Sequence, residues 1–344
     1  MACERLRRAL YRALYVVIGT CISLYVGIRV GIQVLIHGKA ILQSKERKEE
    51  PACLRDPALG QHEFVELEDV RLHYVSAGDR SNPLMLFLHG FPDFWFTWKE
   101  QILDFKKDFW VVAPDMRGYG LSSKPAQVED YGMSYLIEDV RGLITALGRK
   151  KAIVVGHDWG GFVAWVFASK YEHMVDRLVT LNSAHPLAMK HQLENSFEQM
   201  VKSWYMIAFQ PSAWPEKLIQ MRDFAMLDRM LSMLPEEERE ALKYTFSQPG
   251  ALTGPINYYR ANILSQDRRL QGLRYSYINT PTLIVWGEGD AYLTRKLAQL
   301  SIQQAFGRVE YVAHASHWVH RQCPRKVNDH IRTFLKNTER STAA

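Results

Sequence analysis

The stretch Val154-Val155-Gly156-His157-Asp158-Trp159-Gly160-Gly161 decides the fold. It reads as a short apolar strand, a Gly-x-Asp-x-Gly turn and the start of an apolar helix. Small residues on both sides of Asp158 suit a sharp strand-to-helix bend. Such a bend holds its central residue in strained backbone and projects the side chain beyond the carboxyl edge of a sheet. Ser commonly fills this position; here it is Asp. A carboxylate needs no base to act as a nucleophile at neutral pH, and it attacks carbon to form an alkyl ester. It is a poor acyl acceptor, which disfavours ordinary esterase and protease chemistry. The plain alternative is a buried Asp capping the next helix; the flanking glycines favour the nucleophile.

Outward from this turn the chain alternates strand and helix. Residues 64–69 and 71–76 read as strands. The runs 84–89, 110–114, 152–156, 178–182, 282–287 and 309–312 are short and apolar, the type of strand buried on both faces. Helical spacing covers 134–147 and 162–171. This alternation predicts an α/β sheet of eight strands, mainly parallel. Residues 187–275 differ: they are rich in Met, Trp and Tyr, with helical spacing and no buried-strand runs, and read as a helical insertion.

The chain has 344 residues, 47% of them hydrophobic and 23% charged, which fits a globular protein and argues against a disordered or disulfide-framework chain. The formal charge is +6. That excess is local. Residues 1–50 hold nine Lys/Arg against four acids, so the rest is nearly neutral and no basic face of nucleic-acid type is indicated. The four cysteines, Cys3, Cys21, Cys53 and Cys323, show no metal or redox spacing.

Residues 13–36 form a 24-residue segment with Arg29 as its one charge. At 1.5 Å per residue it reaches about 36 Å, enough for a hydrocarbon core of about 30 Å. No clear cleavage site follows before the charged run 45–50, so an uncleaved anchor is favoured over a signal peptide. Arg5, Arg7, Arg8 and Arg12 crowd the N-terminal side, which places the N-terminus in the cytosol and the globular part in the lumen. The Lys45, Arg47 and Lys48 cluster pulls the other way. The Gly27-x-x-x-Gly31 pair is a weak dimer signal with Arg29 between. The organisation is then a basic flank 1–12, a transmembrane signal-anchor 13–36, a polar linker 37–61, a core of 62–186 and 276–340, and a cap of 187–275.

The loop Leu88-His89-Gly90-Phe91-Pro92 follows a strand and can aim the Phe91 N–H at Asp158. With the N–H of Trp159 it makes an oxyanion hole. An ester on Asp158 then needs a base. His317, in Ala315-Ser316-His317-Trp318, is the candidate, oriented by Asp290 in Gly287-Glu288-Gly289-Asp290, with Glu288 the lesser choice. His314, His317 and His320 are spaced as metal ligands can be, but no Cys, Asp or Glu joins them in a recognised metal spacing. His314 and His320 read as surface or packing residues.

Together these segments, with Asp115-Met116-Arg117-Gly118-Tyr119-Gly120, resemble the epoxide hydrolases of the α/β-hydrolase superfamily over residues 60–335. With the N-terminal anchor and Phe246-Ser247-Gln248-Pro249-Gly250, the chain resembles the membrane-anchored group called types 3 and 4. The resemblance implies an α/β-hydrolase fold with a helical cap and two cap tyrosines that donate to the epoxide oxygen. Tyr205 fits by its place five residues before the Gln of Phe209-Gln210-Pro211, a segment one residue shorter than usual. Tyr259 fits in Asn257-Tyr258-Tyr259-Arg260, with Tyr258 at the packing position.

The mechanism implied runs as follows. Asp158 attacks a ring carbon, the tyrosines stabilise the alkoxide, and water activated by His317 and Asp290 hydrolyses the ester to a vicinal diol. No metal or organic cofactor is needed. The resemblance also implies lipophilic substrates such as fatty-acid epoxides, with His89, Pro92 and Trp318 at the substrate. It further implies a single-pass protein of the endoplasmic reticulum that contacts the lipid bilayer. Met200, Met206, Trp204, Trp214, Phe209 and Phe224 are candidates for an apolar tunnel. Competing readings are a haloalkane-type dehalogenase with the same aspartate and a catalytically silent lipid-binding member.

Overall fold

The structure, a computed structural model, describes residues 2–264 and 275–342. Met1 of the basic flank and residues 265–274 of the expected cap lie outside the described residues. Eight strands form one sheet: β1 (Gln61–Glu66), β2 (Arg71–Ala77), β3 (Leu84–Leu88), β4 (Trp110–Pro114), β5 (Ala152–His157), β6 (Val175–Leu181), β7 (Ile278–Gly287) and β8 (Ala305–Val312). Their order is β1-β2-β4-β3-β5-β6-β7-β8. β2 runs antiparallel to β1 and β4, and every other pair is parallel. Every residue of β3, β4 and β5 is buried, as continuous apolar runs require in a sheet covered on both faces.

β1 starts three residues before the expected 64–69. The Leu67 N–H bonds the Val70 carbonyl at 2.8 Å and closes a tight turn, while Asp69 swings to Arg117 at 2.9 Å. Those two acts remove 67–69 from the strand.

The helices are α1 (Ala2–His37), α2 (Lys99–Phe105), α3 (Met133–Ala146) and α4 (Trp159–Lys170), then α5 (Pro186–Asn195), α6 (Phe197–Lys202), α7 (Tyr205–Ala208), α8 (Trp214–Met230), α9 (Glu236–Ser247) and α10 (Thr253–Tyr259). After β7 come α11 (Arg295–Ile302), α12 (Val319–Gln322) and α13 (Pro324–Thr342). Between β6 and β7 the described residues hold helices and loops only. They cover the carboxyl end of the sheet, and one apolar cluster runs unbroken from Leu86 and Trp165 to Phe209 and Tyr259.

α1 contains one segment, Ala13–His37, long and apolar enough to cross a membrane. It lies against α5, α6 and α7. Tyr15, Gly19 and Val30 form its buried stripe, while Leu24, Ile28 and Leu35 are 62%, 65% and 86% exposed. Gly27 faces the Trp214 ring and Gly31 faces open space, so the two glycines do not share one contact.

The linker is strapped to the cap. Arg47 reaches Asp223 at 2.7 Å and Glu240 at 3.1 Å, with its side chain 11% exposed. A guanidinium drawn out of water is retained by paired carboxylates, while the Lys45 and Lys48 side chains stay exposed.

Candidate active site

Asp158 occupies the junction of β5 and α4 with φ 50° and ψ −119°. A non-glycine residue in that region stores about 1–3 kcal/mol of strain, which its surroundings must over-determine. The neighbouring glycines allow it. A Cβ on Gly160 would sit 2.1 Å from the Leu88 carbonyl oxygen, and one on Gly90 would sit 2.4 Å from the Asp158 Cβ. The strand-to-helix bend and the β3 loop therefore press together at this point.

Asp158 Oδ1 accepts the Phe91 N–H at 2.8 Å. Trp159 opens α4, so its N–H is not spent on a bond within the helix and sits at the positive end of the helix dipole. Asp158 Oδ2 faces His317 Nε2 at 3.4 Å, and His317 Nδ1 meets Asp290 Oδ2 at 2.7 Å. Burial opposes a charge on His317, but the carboxylates of Asp290 and Asp158 outweigh it and hold the imidazole up at about 10. Burial likewise pushes both carboxyls upward, and the bonds and charge of His317 more than offset it, leaving each below the ordinary carboxylate range. Glu288, the lesser candidate for the acid, is exposed and pairs with Arg295 at 3.0 Å.

Asn182 is the residue that sequence reasoning missed. It directly follows β6 with φ 39°, donates to Asp290 Oδ2 at 2.7 Å and accepts the Gly287 N–H at 2.8 Å. Asp290 Oδ1 accepts the Tyr292 and Leu293 N–H groups at 2.7 and 2.9 Å. The acid is thus fully bonded before substrate arrives. An Asn directly after an apolar run was the available signal.

Tyr205 and Tyr259 line the same cavity as Asp158, with their rings edge-to-face at 5.9 Å. Burial first, then the charge on Asp158, pushes the Tyr205 hydroxyl well up. Burial, then Tyr205 and Asp158, does the same for Tyr259. Both stay protonated and able to donate. Tyr258 is buried with its hydroxyl on the Arg117 carbonyl at 2.8 Å.

The rest of the cavity wall is Trp159, Phe162, Ser183, Ala184, Met189, Met206, Asn262, Ile263 and Leu293. His89, Pro92 and Trp318, expected at the substrate, are not among the residues that line this cavity. His89 is fully buried, with one ring nitrogen on the Met116 N–H and the other at the Gly90 carbonyl, so it braces the loop. Pro92 follows a cis peptide bond, and the Trp318 ring packs edge-on to His317 at 5.1 Å.

Of the six expected tunnel residues, Met206 lines the cavity and Phe209 backs Tyr259 at 5.0 Å. Met200 packs on Tyr15, Trp214 lies toward Gly27, and Phe224 meets Arg47. A larger cavity of about 500 Å3 lies between α1 and α8, remote from Asp158.

His314, His317 and His320 do not converge. His314 is exposed, while His320 is buried against Trp98 and His157, both at 4.5 Å. Asp93, His157 and His320 place ligand-type atoms within 4.8 Å of one another, but Asp93 already pairs with Arg321 at 2.9 Å.

An eight-stranded, mainly parallel sheet with a nucleophile elbow and an acid and a histidine on later loops defines an α/β-hydrolase, here with a carboxylate at the elbow. The alpha/beta hydrolase fold family matches residues 83–322. Epoxide hydrolase 4 of Homo sapiens is 40% identical over 309 residues, which cover 86% of this chain and 84% of that protein. Epoxide hydrolase 3 of Xenopus tropicalis is 40% identical over 306 residues, covering 84% and 82%. A crystal structure of a mutant epoxide hydrolase from Bacillus megaterium, complexed with its product, a naphthyloxy-propane-diol, superposes with a TM-score of 0.74 at 32% identity. It covers 80% of this chain and 100% of its own. The chain belongs to the epoxide hydrolases of the alpha/beta hydrolase fold family.

Proposed function

We propose that this chain converts lipophilic epoxides, fatty-acid epoxides among them, to vicinal diols through an ester on Asp158. One observation carries the reading. Asp158 Oδ1 is held by the Phe91 N–H while Oδ2 stands free of the oxyanion hole, in a cavity shared with two protonated tyrosines. Oδ2 is therefore the attacking oxygen. It forms a bond to a ring carbon as the C–O bond of the epoxide breaks. Tyr205 and Tyr259 donate to the oxygen that gains the charge, and one passes it a proton.

The same spacing explains the second step. While Asp158 is a carboxylate 3.4 Å away, it helps keep His317 charged. Esterification removes that negative charge and lowers the affinity of His317 for its proton, which leaves and restores the tyrosinate to its hydroxyl. The neutral imidazole then takes a proton from water, hydroxide attacks Cγ of Asp158, and the ester Cγ–Oδ2 bond breaks. Phe91 and Trp159 N–H groups hold the oxyanion. The diol leaves with Oδ2, and Asp158 keeps an oxygen from water.

The cavity is about 70 Å3, room for the three-membered ring and little more. A longer chain enters by displacing Met189 and Met206, whose unbranched side chains repack easily. The chemistry draws on this chain's own residues and water. A halide-releasing reading would need Asn262 as a donor, but its amide already donates to the Tyr131 and Tyr258 carbonyls at 2.9 and 2.8 Å, and the tyrosine hydroxyls on the wall suit an oxygen. We also place the chain at the endoplasmic-reticulum membrane through α1, N-terminus in the cytosol; retention in the membrane fraction after an alkaline wash tests the anchoring.

The decisive experiment is a single turnover in 18O-labelled water. The label is expected in Asp158 by peptide mass spectrometry, and absent from the first diol formed. Label in the diol with none in Asp158 overturns the ester mechanism.

A further inference from the structure

We propose that Arg321 is a positioning residue for ester hydrolysis: its guanidinium fixes the turn that aims the Phe91 N–H at Asp158. This rests on the two-step reading above, in which that N–H holds the oxyanion of the second step.

The oxyanion donor sits on a tight turn in the loop after β3. The Asp93 N–H closes the turn on the Gly90 carbonyl at 3.1 Å, and the Phe91 N–H leaves it for Asp158 Oδ1 at 2.8 Å. Asp93 anchors the turn from its far end. Its side chain is completely buried, and Oδ1 accepts from Arg321 Nη1 at 2.9 Å.

Arg321 is itself held still. Its side chain is 4% exposed, and Nη2 donates to Glu238 of α9 at 2.8 Å. Glu238 also pairs with Lys99 at 2.6 Å. The backbone beside Arg321 is fixed as well. The His320 carbonyl accepts the Gln101 amide at 3.3 Å, and the His320 ring bonds Thr97 Oγ1 at 2.8 Å. One guanidinium therefore joins the turn after β3, the helix α12 that follows His317, and the cap helix α9. A buried ion group of this kind adds little stability over apolar residues of the same size. What it supplies is geometry: a planar fork holds two carboxylates at fixed angles, which an ammonium on a flexible stem does not.

That geometry serves one step more than the other. In ring opening, negative charge leaves Asp158 for the epoxide oxygen, where the tyrosines meet it. In ester hydrolysis, charge returns to Oδ1, the oxygen that the Phe91 N–H holds. A donor displaced from Oδ1 weakens the second transition state and hardly touches the first.

The experiment uses the full chain in detergent micelles and the epoxide of oleic acid. Rapid-quench mass spectrometry reads alkylation of Asp158 and loss of the ester as separate rates. Arg321→Lys keeps the charge and loses the fork. It is expected to slow ester hydrolysis on the order of 10- to 100-fold, the effect of a roughly 1 Å misplacement. Alkylation should stay within about threefold of the parent, so that ester accumulates during turnover. Asp93→Asn weakens the same contact and leaves Arg321 paired with Glu238; it should slow hydrolysis about 3- to 10-fold. The double variant should hydrolyse the ester within about twofold of Arg321→Lys alone, because both changes act through one contact. Lys99→Gln removes the half-exposed partner of Glu238 and should match the parent in both rates.

Parent-like ester hydrolysis in Arg321→Lys overturns the proposal. So does an equal fall in both steps, a multiplied loss in the double variant, or an equal loss in Lys99→Gln. Should Arg321→Lys not fold, parent-like hydrolysis in Asp93→Asn overturns it in the same way. If the parent forms no ester on Asp158, the two-step reading fails and this inference falls with it. A parent that forms the ester, beside an Arg321→Lys variant that clears it normally, removes this inference alone.

Discussion

His317 Nε2 lies 3.4 Å from Oδ2 of Asp158, the oxygen that is not held by the Phe91 N–H. In the proposed mechanism the base of the second step is therefore in contact with the nucleophile of the first, and the charge of each favours the charged form of the other. Separating the steps requires removing one partner at a time.

Replacing His317 by Gln should leave Asp158 able to attack and the ester unable to leave. Intact-protein mass spectrometry after incubation with an epoxide should then show one added substrate mass per chain, located on the peptide containing Asp158. Asp158→Ala should show neither adduct nor diol. A His317→Gln protein that turns over at the parent rate would contradict the assignment of the base.

Asn182→Ala removes the bonds to Asp290 Oδ2 and to the Gly287 N–H. Losing a hydrogen bond to a charged group costs about 1.5–3 kcal/mol. Ester hydrolysis should slow by roughly 10- to 100-fold on that scale, while alkylation changes little. Accumulated adduct during steady-state turnover is the readout. Slowing of alkylation alone would show that Asn182 acts elsewhere.

Stability should fall on the alkaline side. The folded state raises His317 from 6.5 to about 10, so its contribution is complete below pH 6.5 and is lost as pH rises towards 10. Thermal denaturation of the parent and of His317→Gln across that range measures it. The parent should lose its advantage over the variant steadily through the window. Parallel curves would mean that the histidine is not charged in the resting enzyme.

Gly160→Ala tests the elbow. The added methyl meets the Leu88 carbonyl at 2.1 Å, a contact with backbone that cannot rotate away. Overpacking of this type costs about 1–3 kcal/mol or more. Chemical denaturation should show that loss, and diol formation should fall further than stability does, because Phe91 and Asp158 move apart. A variant as stable and active as the parent would show that the loop gives way.

The bend at Asp158 and the candidates Asp290 and His317, which the fold brings to it, were legible in the sequence because strand, turn and helix signals are local. Asp158 between glycines needs no tertiary information to be noticed. The wall of the cavity was less legible. His89 and Trp318 stood beside the right residues in sequence yet turn their side chains into the loop and onto His317, since adjacent residues on a loop share no fixed direction. Met189, Ile263 and Leu293 come from three separate segments that only the packed cap brings together. Asn182 was invisible as a partner because its bond to Asp290 joins positions 108 residues apart.

By itself, then, the amino-acid order determined the sheet, the bend that exposes Asp158, the histidine that follows it and an apolar N-terminal helix, because each is written in the spacing of neighbours. Tertiary structure decided that Asp290 and not Glu288 meets His317, and which side chains line the cavity at Asp158. Those outcomes depend on contacts between distant segments, and contacts of that kind exist only once the chain has closed on its core.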